Sequence, residues 1–133
     1  MEESKKYKIL IIDDDNFLLD MYAMKFSQEP KFSVDTALGS TLAYEKLKAG
    51  ASPDVMLMDI VMPGMDGFEL LEKLRDEKIA EGTMKIILSN RGQQSDIERG
   101  ATLGVAGYIV KASSTPGEVI TKVTEIVTKQ LPR

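Results

Sequence analysis

The sequence predicts an α/β fold in which helices cover both faces of a doubly wound parallel sheet of five strands. Short apolar runs alternate with longer stretches whose apolar residues recur at helical spacing, and the pattern repeats five times along the chain. Continuous apolar runs are typical of strands that are buried on both faces. Alternating strands and helices give a parallel sheet with right-handed crossovers.

The five predicted strands lie at residues 9–12, 32–36, 55–58, 84–88 and 105–110. Three of them, 9–12, 55–58 and 84–88, are the apolar runs that indicate buried strands. The stretch 32–36 alternates apolar and polar residues, which favours a place nearer an edge of the sheet.

The five predicted helices lie at residues 15–28, 40–49, 68–77, 96–103 and 116–129. Pro30 ends the first helix, and Pro116 fits the first turn of the last. The residues predicted to face the core include Leu42, Ala43 and Leu47 in the second helix and Phe68, Leu71 and Leu74 in the third. In the first helix, helical spacing relates Phe17, Leu18, Met21 and Tyr22.

The composition restricts both the chemistry and the partners. The 133 residues carry a formal net charge of −4 and include neither histidine nor cysteine. Disulfides and thiolate metal sites are therefore excluded, as are the usual neutral-pH base and the commonest metal ligand. The acidic balance argues against direct binding of nucleic acid.

The length predicts a single domain at 1–133, with a core at about 8–129. No apolar run reaches the roughly 18 residues of a membrane span, and the charged start does not resemble a signal peptide. We therefore expect a cytoplasmic protein with no membrane contact. The sequence leaves open whether the chain is a stand-alone protein or part of a longer one.

Polar side chains follow four of the predicted strands. They are Asp13 and Asp14, Asp59, Ser89 and Lys111. Because the carboxyl ends of parallel strands line one edge of the sheet, we expect these side chains to converge there. Crowded carboxylates repel, so at least one should have a raised pKa unless a cation lies among them. Mg²⁺ suits such a site, since it takes carboxylates, keeps waters and accepts phosphate oxygens.

A structural explanation competes for the first group of acids. The run from Asp13 to Asp15 also suits a helix N-terminus, with Asp15 as the capping residue. Asp59, at the end of a buried strand, has no comparable structural use. A carboxylate, a hydroxyl, an ammonium and Mg²⁺ together fit phosphoryl transfer, and an aspartate can itself be the nucleophile.

Four stretches, 9–15, 58–67, 88–89 and 107–111, together resemble a response-regulator receiver domain of two-component signalling. The segment from Asp59 to Gly67 is the most specific of them in order and spacing. The resemblance covers about residues 8–129. It implies a flavodoxin-like sheet with the strand order 2-1-3-4-5, and a phosphorelay function in which a histidine kinase or phosphotransfer protein is the donor.

The resemblance also implies a role for each matching residue. Asp59 would accept the phosphoryl group, Asp14 and the backbone carbonyl of Val61 would bind Mg²⁺ directly, and Asp13 would assist through water. Ser89 would contact the phosphoryl group, Lys111 would ion-pair with it, and Tyr108 would be the switch aromatic. Tyr108 is equally explained as a strand aromatic that covers the fourth helix, and either role predicts a partly buried ring. The output would be altered binding of an unknown downstream protein by a monomer or weak homodimer.

Two positions depart from the family pattern. Ala112 follows Lys111 where the family usually has proline, often after a cis bond. We expect either a trans bond with a shifted loop or a strained cis bond. Asn90, followed by Arg91, stands where the family usually has a very small residue, so we expect a changed phosphoryl lifetime.

Two other functions compete with a phospho-accepting receiver. One is a pseudo-receiver, an interaction domain that no longer switches, to which Ala112 lends some weight. The other is a magnesium-dependent phosphohydrolase, for which Asp13 and Asp15 have the required spacing of two residues. The chain has no room for the substrate cap that such an enzyme needs.

Overall fold

The computed structural model describes residues 6–133, so the first five residues of the predicted domain lie outside the described part. Five strands alternate with five helices. In chain order they are β1 (Tyr7–Asp13), α1 (Asn16–Ser27), β2 (Phe32–Leu38), α2 (Ser40–Lys48), β3 (Val55–Met58), α3 (Gly67–Glu77), β4 (Met84–Ser89), α4 (Gln94–Thr102), β5 (Gly107–Val110) and α5 (Pro116–Gln130). A short 3₁₀ helix, Lys111–Ser113, connects β5 to α5.

The strands form one parallel sheet in the order β2-β1-β3-β4-β5, which confirms the predicted fold. β2 lies at an edge, as its alternating sequence predicted. The winding direction reverses between β1 and β3, where Ile12 pairs with Met58. Asp13 and Asp59 directly follow these two residues, so the fold brings them to the point where doubly wound sheets bind ligands.

The core has two layers, one on each face of the sheet. Alternate residues of β1 serve the two layers: Ile9 and Ile11 pack with α1 and α5, whereas Leu10 and Ile12 pack with α2 and α3. Each buried aliphatic side chain of this size contributes about 1.5–3 kcal/mol. The burial of β1 on both faces makes it a rigid support for the acids that follow it.

One predicted core contact is wrong. Leu42 is 47% exposed, whereas Ala43 and Leu47 are buried as predicted. In the first helix, Phe17 is 78% exposed. Asp15 caps α1 by accepting a hydrogen bond from the N–H of Leu18 at 3.1 Å. The buried residues of α1 are Leu19, Tyr22 and Phe26.

The boundaries of α4 and β5 also differ from the prediction. α4 begins at Gln94 rather than at Asp96, because the Asp96 carboxylate accepts from the N–H of Gln93 and closes the first turn. β5 begins at Gly107 rather than at Val105, whose N–H bonds instead to the carbonyl of Gly100 at 3.1 Å. Within residues 6–133 no helix has the length and apolar content needed to cross a membrane.

Candidate functional site

The Asp59 carboxylate is held in place by the backbone that surrounds it. Asp59 directly follows β3, and its own N–H donates to the Ile12 carbonyl at 3.0 Å. Its Oδ1 accepts from the N–H of Ile60 at 2.6 Å and from that of Val61 at 3.3 Å. Only 8% of the residue is exposed. The second oxygen, Oδ2, remains for partners across the sheet edge.

Lys111 is the partner of the second oxygen of Asp59, and it also binds Asp13. Its ammonium lies 2.9 Å from Oδ2 of Asp59 and 2.8 Å from Oδ2 of Asp13. Burial alone would lower the pKa of Lys111, but its hydrogen bonds to Asp13 and Asp59 raise the pKa above the usual value. The lysine therefore stays charged and neutralises part of the acidic cluster.

Asp13 is the acid whose pKa is raised, as predicted for one member of the cluster. The main cause is burial, which the hydrogen bonds from Lys111 and from the N–H of Asp15 only partly offset. Repulsion from Asp59, the expected cause, is the smallest contribution. Both oxygens of Asp13 therefore accept hydrogen bonds. Oδ1 accepts from the N–H of Asp15, just before α1, at 2.9 Å, and Oδ2 accepts from the ammonium of Lys111.

Asp14 completes a group of three carboxylates that could hold a cation. One oxygen from each of Asp13, Asp14 and Asp59 lies within 4.8 Å of the others. Asp14 is exposed, whereas the other two are buried. An all-oxygen donor set with one solvent-facing ligand fits Mg²⁺, which keeps several of its waters when it binds to proteins.

The cluster lies in a cleft of about 370 Å³ at the carboxyl edge of the sheet. The lining residues include all the acids discussed above and also Asp15, Leu18, Val61, Ser89, Asn90 and Lys111. Ser89 is fully buried at the end of β4, whereas Asn90 is exposed at the mouth. The Oγ of Ser89 accepts from the N–H of Arg91 at 3.2 Å.

Tyr108 is outside the cleft lining, on the strand next to Ser89. Its ring is partly buried, as predicted, and packs against α4, where Gly100 leaves space for it. Its hydroxyl donates to the carbonyl of Arg91. Because burial raises the pKa of Tyr108, the hydroxyl keeps the proton that it donates.

Every peptide bond among the described residues is trans, including the one between Lys111 and Ala112. The trans bond of the first alternative is therefore observed, and the strained cis bond is not. Ala112 lies in the short 3₁₀ helix, exposed to solvent, and Lys111 still reaches both acids. The missing proline thus does not remove the lysine from the cluster.

Two features of the site were missed at the level of sequence. Gly67 is required by close packing, since a Cβ there would lie 2.4 Å from the Asp59 carbonyl oxygen. Arg91 pairs with Asp96 at 2.8 Å, which turns its guanidinium toward α4. The sequence indicated only that Gly67 lies in a turn, because a close approach between two backbone segments has no sequence signature of its own.

Comparison with known proteins agrees with this geometry. A family model for the response regulator receiver domain matches residues 9–124. The chain belongs to this family. It is therefore a receiver domain of two-component signal transduction, a family for which phosphorylation and magnesium are typical.

Individual relatives support the same conclusion. The receiver is 34% identical over 107 residues to the chemotaxis protein CheY of Treponema pallidum, covering 79% of this chain and 72% of CheY. It is 32% identical over 125 residues to the phosphate regulon transcriptional regulatory protein PhoB of Rhizobium meliloti, covering 94% of this chain and 54% of PhoB. The chain thus spans about half the length of several curated relatives that it matches.

Solved structures share the fold of this receiver over nearly its whole length. The receiver domain of the Francisella response regulator 1452 superposes with a TM-score of 0.81 at 26% sequence identity, covering 94% of this chain and 99% of that one.

Proposed function

We propose that the chain is a phospho-accepting receiver in which Asp59 takes a phosphoryl group from a histidine kinase or phosphotransfer protein, with Mg²⁺ bound. The observation that carries the proposal is the convergence of Asp13, Asp14 and Asp59 with Lys111 at one edge of the sheet. A carboxylate with a cation on each side is suited to an incoming anionic phosphoryl group, because the cations offset the repulsion.

In the proposed reaction an Asp59 oxygen attacks the phosphorus of the donor. A phosphorus–nitrogen bond to the donor histidine breaks, its electron pair stays on the imidazole, and an acyl phosphate forms on Asp59. The Asp59 carboxylate is already oriented by the N–H groups of Ile60 and Val61. The ammonium of Lys111 needs only a small movement to pair with a phosphoryl oxygen, and the Ser89 hydroxyl can donate to another.

Mg²⁺ would be held directly by Asp14, Asp59 and the backbone carbonyl of Val61. Asp13 would assist through a water molecule. When bound, the ion supplies positive charge that stabilises the transferring phosphoryl group. The exposed position of Asp14 gives the ion access from solvent. Lys111 shares Asp13 and Asp59 with the proposed ion, so the lysine supplies the counter-charge when no metal is bound.

We propose that the receiver acts through a partner rather than as an enzyme with its own substrate. Phosphorylation adds about −1.5 to −2 charge and new acceptor oxygens at Asp59. Ser89 and Lys111 gain a new partner, and the surface around α4 and β5 changes its affinity for a downstream protein. The domain acts as one unit in the cytoplasm, as a monomer or weak homodimer.

The competing phosphohydrolase has less support. Its acid would be Asp15, whose carboxylate is occupied as the cap of α1. Its nucleophile would be Asp13, which is tied to Lys111 and to the N–H of Asp15. A pseudo-receiver is less favoured because this chain retains Asp59, Lys111 and Ser89, all of which line one cleft.

The test is incubation with acetyl phosphate and Mg²⁺, followed by intact-mass measurement. We expect the mass of one phosphoryl group to be added to the wild-type protein and lost when EDTA is present. Asp59→Asn should abolish the added mass, whereas Asp20→Asn, which changes an exposed acid of α1, should retain it. No added mass on the wild type would favour the pseudo-receiver, and steady release of phosphate in Asp59→Asn would favour the hydrolase.

A further inference from the structure

The loop between β4 and α4 is held by Arg91 through both its backbone and its side chain. Its N–H donates to the Ser89 Oγ, and its carbonyl accepts from the Tyr108 hydroxyl. Its guanidinium pairs with Asp96 at 2.8 Å and lies 5.9 Å from the ring centre of Phe68. One residue therefore contacts the end of β4, the strand β5 and the start of α4.

Asp96 connects this loop to the first turn of α4. It is only 6% exposed, and its two oxygens have different partners. Oδ1 accepts from the guanidinium of Arg91, and Oδ2 accepts from the N–H of Gln93 at 3.3 Å. A buried carboxylate that loses its cation is left uncompensated, so the pair resists separation.

We propose that the Arg91–Asp96 ion pair transmits a change at Ser89 to helix α4, which makes both residues positioning residues of the switch. The inference rests on the proposed function, because it assumes that a phosphoryl group on Asp59 draws the Ser89 hydroxyl. Neither side chain lines the cleft around Asp59, so the role is exerted through the loop and not on the phosphoryl group.

The connectivity explains why the pair matters. Ser89 cannot turn toward a phosphoryl group without affecting the N–H of Arg91, which is bonded to its Oγ. The Tyr108 hydroxyl is bonded to the same residue, so its partner moves as well. If the loop were not attached to α4, it could move without displacing the helix. The ion pair attaches Arg91 to Asp96 in the first turn of α4, so a movement of Arg91 also displaces that turn.

A second ion pair on the same helix provides a matched control. Arg99 pairs with Glu72 of α3 at 3.1 Å and stacks on the same Phe68 ring at 4.5 Å. It has a similar exposure to Arg91, at 46% for each side chain. It lies one helical turn beyond Asp96, and its ion pair is with α3 rather than with a residue at the start of α4. Loss of this pair should leave the transmission intact.

The experiment follows backbone amide signals by NMR while beryllium fluoride and Mg²⁺, a stable phosphoryl mimic, are added. In the wild type we expect signals near Asp59 and signals of α4 to shift. In Asp96→Asn the signals near Asp59 should still shift, while the α4 shifts fall to less than half of their wild-type size. Arg91→Lys, which keeps a cation near Asp96, should retain more of the α4 response than Asp96→Asn.

Glu72→Gln should respond as the wild type does. An undiminished α4 response in Asp96→Asn would overturn the inference, and so would an equal loss in Glu72→Gln. If Asp96→Asn does not fold, Arg91→Gln replaces it in the same comparison. Absence of any shift near Asp59 in the wild-type protein would instead overturn the proposed function, so the two failures are distinguishable.

Discussion

The ammonium of Lys111 lies 2.9 Å from Oδ2 of Asp59, and the two side chains are 8% and 11% exposed. They are separated by 52 residues in sequence. Asp59 directly follows β3, and Lys111 directly follows β5. With its second bond to Asp13, the lysine is the internal counter-charge of the acidic cluster. Its position places a positive charge against two of the three clustered carboxylates.

Removing this charge should destabilise the metal-free protein. We expect Lys111→Met to lower the free energy of unfolding by about 3 kcal/mol at neutral pH, because two buried carboxylates lose their cation. Mg²⁺ should restore about 2.7 kcal/mol at a concentration 100 times its Kd. Urea unfolding with and without Mg²⁺ measures both effects. The exposed Lys122→Met is the control, and an equal loss in both variants would contradict the prediction.

Asp13→Asn should have the opposite effect on stability. Burial raises the pKa of Asp13 above its usual 3.8, so the folded state holds this proton more tightly than the unfolded state. The wild type therefore loses stability as the pH rises from 3.8 through the folded pKa, and the loss is complete once the pH lies above the folded pKa. We expect the variant to be more stable than the wild type above the folded pKa, and the difference to disappear well below pH 3.8.

Thermal unfolding of both proteins across this pH range tests the prediction. A stability difference that does not change with pH would show that the carboxyl charge is not its cause. Stabilisation by Asp13→Asn should be accompanied by weaker Mg²⁺ binding, measured by titration, because the Asp13 carboxylate is proposed to hold a water molecule bound to the ion. Stability and metal binding thus make opposite demands on this residue.

The backbone contact at Gly67 predicts a localised steric effect. A Cβ at this position would lie 2.4 Å from the Asp59 carbonyl oxygen and 2.8 Å from the Ile60 Cα. Both are backbone atoms, so Gly67→Ala should cost about 3 kcal/mol of unfolding free energy. Gly82→Ala, where nothing lies within 4 Å of the added Cβ, should change stability by less than about 0.5 kcal/mol. Urea unfolding of the two variants is the measurement, and equal stabilities would contradict the steric argument.

Asn90 should set the lifetime of the phosphoryl group. Its exposed amide lies at the mouth of the cleft, next to Ser89, where it can contact a phosphoryl oxygen or an approaching water. We expect Asn90→Ala to change the rate of spontaneous dephosphorylation at least about threefold, the order expected for one hydrogen bond. Loss of radiolabel from the purified phosphoprotein measures the rate. Gln94→Ala, which removes an exposed amide outside the cleft, should leave the dephosphorylation rate unchanged. An unchanged rate in Asn90→Ala would contradict the prediction.

Much of the fold could be predicted from short-range patterns. The apolar runs at 9–12, 55–58 and 84–88 indicated buried strands because a strand covered on both faces needs apolar residues at every position. The predicted bounds of β5 and α4 were wrong because hydrogen bonds that the sequence pattern does not reveal set the ends of these elements. The N–H of Val105 bonds to a helix carbonyl rather than to a strand, and Asp96 closes a helical turn that begins before it.

The sequence by itself determined the order of the elements and the convergence of Asp13, Asp14, Asp59, Ser89 and Lys111, because parallel strands present their carboxyl ends at one edge. Only the tertiary structure decided how these groups are paired. Which oxygen faces Lys111, whether burial or repulsion raises the pKa of Asp13, and where the Arg91 guanidinium turns all depend on distances of a few ångströms. Such distances are set by the packing of helices on the sheet, which involves residues far apart in the chain.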